Sequence, residues 1–265
     1  MTTNVSSRSG FLVESLLFAG WYIRRWRSEP LVPLQSLAFP TLLLIVYHTL
    51  VSESMTRLTG TNNLNGLVPM CALAGGMLGA LGLGFAIPAE RAIGLLSRVW
   101  TFPIGRASAL IGRLIAEGAR TLISAGLVTA IGVAMGLRFQ GGPLAVIPYL
   151  FVPVLVVLVV ATVVITLGLR VGPDGNAMMT WVGTASIGMV FGSSGIAPVE
   201  VFPSWLHPLI KYQPMSPAIE TMRALSEGGP VLGPLMLTLA WVFGLAAVFV
   251  PLAIRNYRIA AESAI

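Results

Sequence analysis

The residues able to make or break bonds are few in this chain, and they are scattered. It has one cysteine, Cys71, and two histidines, His48 and His207, set far apart in the sequence. Neither a thiol pair nor a His/Cys grouping with metal-ligand spacing is present. HExxH and GxSxG patterns are also missing. The glycine run Gly75, Gly76, Gly79, Gly82, Gly84 has no lysine after it, as a phosphate-cradling loop requires. His207 with Glu200 and Glu220 is the one grouping with catalytic residue types. Pro203, Pro208, Pro214 and Pro217 surround it, and its apolar neighbours point to a structural loop. The chemistry left is charge pairing and recognition.

The elements that would position such groups follow from composition. Hydrophobic residues make up 55% of the chain and charged residues 10%, with mean hydropathy +0.86. A soluble domain carries about 25% charge, so a water-covered fold is excluded. Six stretches lack Asp, Glu, Lys and Arg: 30–52, 58–89, 121–137, 139–169, 175–199 and 228–254. Crossing a hydrocarbon core takes roughly 20 residues of helix. The 121–137 gap reaches that length if its helix starts near Leu110. Leu144–Leu169 shows no alternation of polar and apolar residues, which argues against a barrel. The expected fold is all-α and integral to the membrane, with spans over 32–51, 66–87, 110–136, 146–169, 178–197 and 231–254. Residues 1–30 form a cytoplasmic or interfacial segment, 31–255 the six-helix domain and 256–265 a cytoplasmic tail.

With both termini in the cytoplasm, twelve of the sixteen basic residues face inward. Arg57, Arg138, Lys211 and Arg223 are the four that face outward. The net charge of +6 then belongs to inner loops beside anionic lipid, with no basic module suited to nucleic acid. Phe11 to Trp26 is amphipathic, unlike a cleaved signal peptide. Phe11, Leu12, Ser15, Leu16, Ala19 and Ile23 recur at helical spacing, which predicts an interfacial helix. The glycine run inside the second span predicts close helix packing.

Two segments carry more than a crossing requires. In the inner loop Pro88–Arg120, residues Glu90 to Trp100 form an amphipathic block that Pro103 stops and Gly105 turns. Such a helix is suited to receive a push from a partner, and it fits a positively charged topology anchor equally well. The outer segment Pro198–Pro230 is too polar to cross but rich in apolar groups. Phe202–Tyr212 and Ala218–Leu225 read as two half-helices dipping into the outer leaflet, with an ordinary ordered loop as the alternative.

The inner run with Glu90, Arg91, Gly94, Leu95, Leu96, Arg98, Pro103 and Arg106 resembles the coupling loop of ABC-2 type permeases. The outer run holds Phe202, Pro203, Trp205, His207, Pro208 and Pro214, then Glu220, Met222, Arg223 and Leu225. It resembles the daunorubicin-resistance branch, whose mycobacterial members include glycolipid exporters. The resemblance extends over nearly the whole chain. It implies a non-enzymatic permease in a bacterial plasma membrane, exporting a hydrophobic or amphiphilic lipid, glycolipid or drug. Two permease subunits, identical or different, would pair among membrane lipid above a separate ABC ATPase that holds ATP and Mg. Glu90, Arg91, Gly94, Leu95, Arg98, Pro103 and Arg106 would transmit its motion. A secondary transporter and a non-transporting scaffold are the competing classes. The first expects a coupling carboxylate at mid-membrane, and the spans read as free of one, with Glu117 near a span end pairing Arg113 and Arg120.

Overall fold

A computed structural model describes residues 7–28, 31–59, 64–92, 108–170, 176–197 and 199–262. The elements in order are α1 (Ser7–Ser28), α2 (Leu31–Thr59), α3 (Leu64–Ala92), α4 (Ser108–Ala134) and α5 (Val146–Arg170). They continue as α6 (Asn176–Phe191), α7 (His207–Tyr212), α8 (Met215–Glu227) and α9 (Leu232–Glu262). Short 3-10 turns sit at Pro143–Ala145, Val199–Val201 and Ser204–Leu206. The described residues contain no strand. Among the described residues, four helical segments are long and apolar enough to cross a membrane: Leu64–Pro88, Ser108–Ala134, Pro143–Arg170 and Leu232–Ile259. Leu34–Leu50 and Ala177–Phe191 are shorter apolar helices.

Helix α3 is the axis of the bundle, packing against α2, α4, α5, α6 and α8. Lipid is as apolar as leucine, so close contact and not hydrophobic exclusion must hold these helices together. The α3 glycines provide that contact. A side chain on Gly76 would overlap Val157 and crowd Thr121; one on Gly75 would meet Pro40 and Ser124; one on Gly84 would meet Val164 and Met179. Gly82 differs, with open space beside it. The core then fills with Leu67, Met70 and Leu73 of α3, Tyr149 and Val156 of α5, and Met215, Ile219 and Met222 of α8.

Helix α1 lies across α4 where Gly112 has no side chain to hold it off. Ser15 and Ala19 are buried there, whereas Leu12, Leu16 and Ile23 are exposed. Residues Ser7–Ser28 are helical, as their spacing predicts. The small residues meet protein, because they permit the crossing, and the large ones are left outward.

Helix α6 departs from the expected 178–197 span by ending at Phe191. Its sixteen residues cover roughly 24 Å at 1.5 Å each. Residues 192–197 continue without helix, which at membrane depth needs polar partners from the protein. The outer segment supplies them. Gln213 donates its amide to the Gly192 carbonyl (2.6 Å), and Arg223 Nη2 donates to the Ser194 carbonyl (2.9 Å). The Ser194 N–H reaches Ser216 Oγ (3.3 Å). Gly228, left-handed at φ 71°, closes α8, which none but glycine adopts freely.

Glycine packing has a direct test. Gly76→Val should destabilise the bundle by about 1–3 kcal/mol through overpacking. Gly82→Val should leave it near the parent, with both read as thermal loss of monodispersity in detergent. Equal losses would contradict the role given to α3.

Candidate functional site

The C-terminal ends of α1 and α3 and the N-terminal part of α4 converge on Glu90. That carboxylate is 5% exposed. Its Oε1 accepts from Arg25 Nη1 at 3.1 Å, and Oε2 takes an ion pair from Arg113. Arg113 Nη2 also donates to the Tyr22 hydroxyl (2.9 Å), and its guanidinium stands 4.9 Å from the centre of the Tyr22 ring. Nearby, Ser108 Oγ donates to Glu14 Oε2 (2.9 Å). One acid from α3 thus holds a cation from α1 and another from α4. Beside this node lies an apolar cavity of about 500 Å³, walled by Leu17, Phe18 and Trp21 of α1, Ile87, Leu110, Leu169 and Tyr257. Each Glu90 oxygen is engaged by an arginine of a different helix, so the node's chemistry is mechanical: it keeps three helices in one arrangement.

Glu90 and Arg91 continue α3, which runs through Pro88 to Ala92, and do not open a separate helix. Gly94, Leu95, Arg98, Pro103 and Arg106 lie outside the described residues. Glu117 does not pair Arg113, because Glu90 takes that cation. It pairs Arg120 through Nε (3.1 Å) and Nη2. Arg120 Nη2 also reaches the Gly76 carbonyl at 3.3 Å. Both residues are 4% exposed. Glu117 stands nine residues into α4, roughly 14 Å along its axis. Of the two partners expected for Glu117, Arg120 alone is engaged, and this full ion pair sits between α3 and α4, in the space left by Gly79.

A second cavity, about 600 Å³, opens between α2, α3 and α6. Phe39, Leu43, Met77, Leu81, Val190 and Phe191 give it an apolar wall, with Gln35, Ser36 and Ser186 at polar points. Met179 packs instead against Leu81 and Val164.

At the opposite end of the bundle, Pro203 caps the turn at Ser204–Leu206, and Pro208 lies in the first turn of α7. His207 Nε2 donates to the Phe202 carbonyl (2.7 Å), which closes the turn and commits the imidazole to it. Pro214 leads into α8. Trp205 is 75% exposed. Arg223 binds Glu220 (2.7 Å) as well as Ser194. Glu200, His207 and Glu220 thus serve separate contacts or none described. Sequence reasoning missed Tyr22, Glu14, Gln213 and Ser216. The one visible signal was the i, i+3 pair Glu117/Arg120 facing a glycine run, which announces a charge needing room.

Removing one partner of a buried pair leaves the other charge uncompensated, at about 3–5 kcal/mol. Glu90→Gln should lower stability strongly and Glu90→Gln/Arg113→Met much less, measured by melting in detergent. A double variant as unstable as the sum of its singles would dissolve the node as an interaction.

Residues 15–225 match the ABC-2 type transporter family. The "probable doxorubicin resistance ABC transporter permease protein DrrC" of Mycobacterium tuberculosis is 31% identical over 249 residues, covering 94% of this chain and 89% of the relative. A daunorubicin resistance ABC transporter permease protein of Streptomyces coeruleorubidus is 27% identical over 168 residues, covering 62% of this chain and 58% of the relative. With most of its length matched to the family and to a relative of nearly equal extent, this chain belongs to the ABC-2 type transporter family.

Proposed function

We infer that the chain is the membrane-spanning subunit of an ATP-driven exporter of a hydrophobic or amphiphilic substrate. A separate ABC ATPase, carrying ATP and Mg, supplies the energy, and a second permease subunit, identical or different, completes the path. The six crossings are α2, α3, α4, α5, α6 with its non-helical extension, and α9. Both termini face the cytoplasm of a bacterial plasma membrane, in keeping with twelve inward arginines against four outward basic residues. The α7–α8 pair re-enters the outer leaflet between α6 and α9, with exposed Trp205, Leu209 and Tyr212 toward lipid.

The observation that carries this reading is the Glu90 node. The run Glu90, Arg91, Gly94, Leu95, Arg98, Pro103 and Arg106 joins α3 to α4; Glu90 at its start pairs Arg25 of α1, and Arg113 of α4, beyond its end, pairs Glu90 and donates to Tyr22 of α1. A force applied to that run from below reaches three helices together. Glu90 works as the internal tie, while Arg91, Arg98 and Arg106 are the residues left to meet an ATPase. The drugs in the relatives' names, doxorubicin and daunorubicin, are amphiphiles that suit the apolar cavities. Lipids and glycolipids suit them by the same chemistry.

The test is co-purification with an ATPase encoded beside this chain, followed by doxorubicin uptake into inverted vesicles. Scrambling residues 93–106 should abolish ATP-dependent uptake while the chain still inserts and α1–α4 packing holds. Full transport with that run scrambled sinks the coupling assignment. Uptake that follows a proton gradient without ATP would favour a secondary carrier.

A further inference from the structure

The Glu90 node leaves donors in hand. Arg113 commits one nitrogen, Nη2, which serves both Glu90 and the Tyr22 hydroxyl. Among the described residues its Nε and Nη1 have no acceptor. The Tyr22 hydroxyl accepts from Arg113, and its own proton goes to no described residue. Arg113 is 8% exposed, and buried donors call for acceptors. Arg113 and Tyr22 both line the 500 Å³ cavity beneath α1. Most of the remaining wall is apolar, with Phe18, Ile165 and Leu169 among it. Leu17 and Trp21 also line the cavity and are exposed, so it is open along α1. Its volume lies within the range of small-molecule sites, about 300–1,000 Å³.

We propose that this cavity binds a single-tailed anionic amphiphile, its phosphate or carboxylate head accepting from Arg113 and Tyr22 and its tail against Phe18, Ile165 and Leu169. A guanidinium and a phenol offer donors to the head, and arginine suits carboxylate and phosphate oxygens above others. Charge points the same way. Glu90 answers two guanidiniums with one carboxylate, so an anion complements this corner and a cationic head is repelled by it. Glu14 is the other acid on the wall. It stands two turns before Tyr22, roughly 12 Å along α1, and accepts from Ser108 (2.9 Å). That places it away from the head group. The ligand thus joins the tie between α1 and α4, at a site separate from the cavity walled by α2, α3 and α6.

The full-length chain, with any subunits that co-purify and no nucleotide, is placed in phosphatidylcholine nanodiscs. Three probes carrying the same photoactivatable tail are compared: an alkyl phosphate, an alkyl trimethylammonium and a monoalkyl glycerol. Labelling of the α1 and α5 walls is read relative to the exposed α9 surface around Phe243, which cancels differences in partitioning. The alkyl phosphate should label the cavity about ten-fold more than the others, the weight of one hydrogen bond to a charged group. Tyr22→Phe keeps the ring beside Arg113 but removes the hydroxyl, and should cut that excess several-fold. Leu17→Trp adds bulk to the cavity from an exposed position, and should lower labelling by all three probes while melting like the parent. Equal labelling by the three probes, a preference for the ammonium, or an excess unchanged in both variants overturns the proposal. Neither ATP nor transport enters this measurement, so its failure leaves the exporter reading standing, and labelling kept without vesicle uptake removes that reading and leaves the site.

Discussion

Three helices meet where Glu90 accepts Arg25 from one side and Arg113 from the other. Burying a carboxylate in a nearly dry environment is costly unless opposite charge comes with it. Arg113 is equally buried and equally dependent on Glu90. Neither residue can leave the node alone, so the end of α3, the start of α4 and the amphipathic α1 hold one relative arrangement. The Tyr22 hydroxyl and ring add a second hold on Arg113. The segment that joins α3 to α4 thus begins and ends on elements that are already braced.

The same demand for partners shapes the rest of the bundle. Within α4, Glu117 and Arg120 satisfy one another in a recess that exists because Gly79 has no side chain. At the outer end, α6 stops early, and its unwound carbonyls are met by Gln213 and Arg223 from the segment before and within α8. That segment is a structural partner of α6, held in the core by Met215, Ile219 and Met222. Glycines set how near the helices come, and polar side chains complete what that nearness buries.

Much of this was legible from the chain alone. The charge gaps located α3, α4, α5 and α9, the helices long and apolar enough to cross, because a hydrocarbon core tolerates few charges. Two short helices in Phe202–Leu225 followed from its prolines, although the first begins at His207 and not Phe202, and the second at Met215 and not Ala218. The burial of Glu90 was not legible, since its partners lie 65 and 23 residues away and look like ordinary loop arginines. Glu117 was misplaced for a related reason. Arg113 and Arg120 are equally good neighbours on one helix, and the choice between them was made by a carboxylate on another. The early end of α6 was hidden because an apolar, glycine-containing run reads as helix whether or not distant side chains cap its carbonyls.

The central claim is that charge ties α1 to α4 so that both respond together to the segment between α3 and α4. Spin labels at Val13→Cys on α1 and Ile123→Cys on α4, both exposed positions, in a Cys71→Ala background, read their separation in the complex with its ATPase. The account predicts the same separation in nucleotide-free and ATP-trapped complexes, broadening when Glu90→Gln is added. A separation that changes with nucleotide while Glu90 is intact would contradict it.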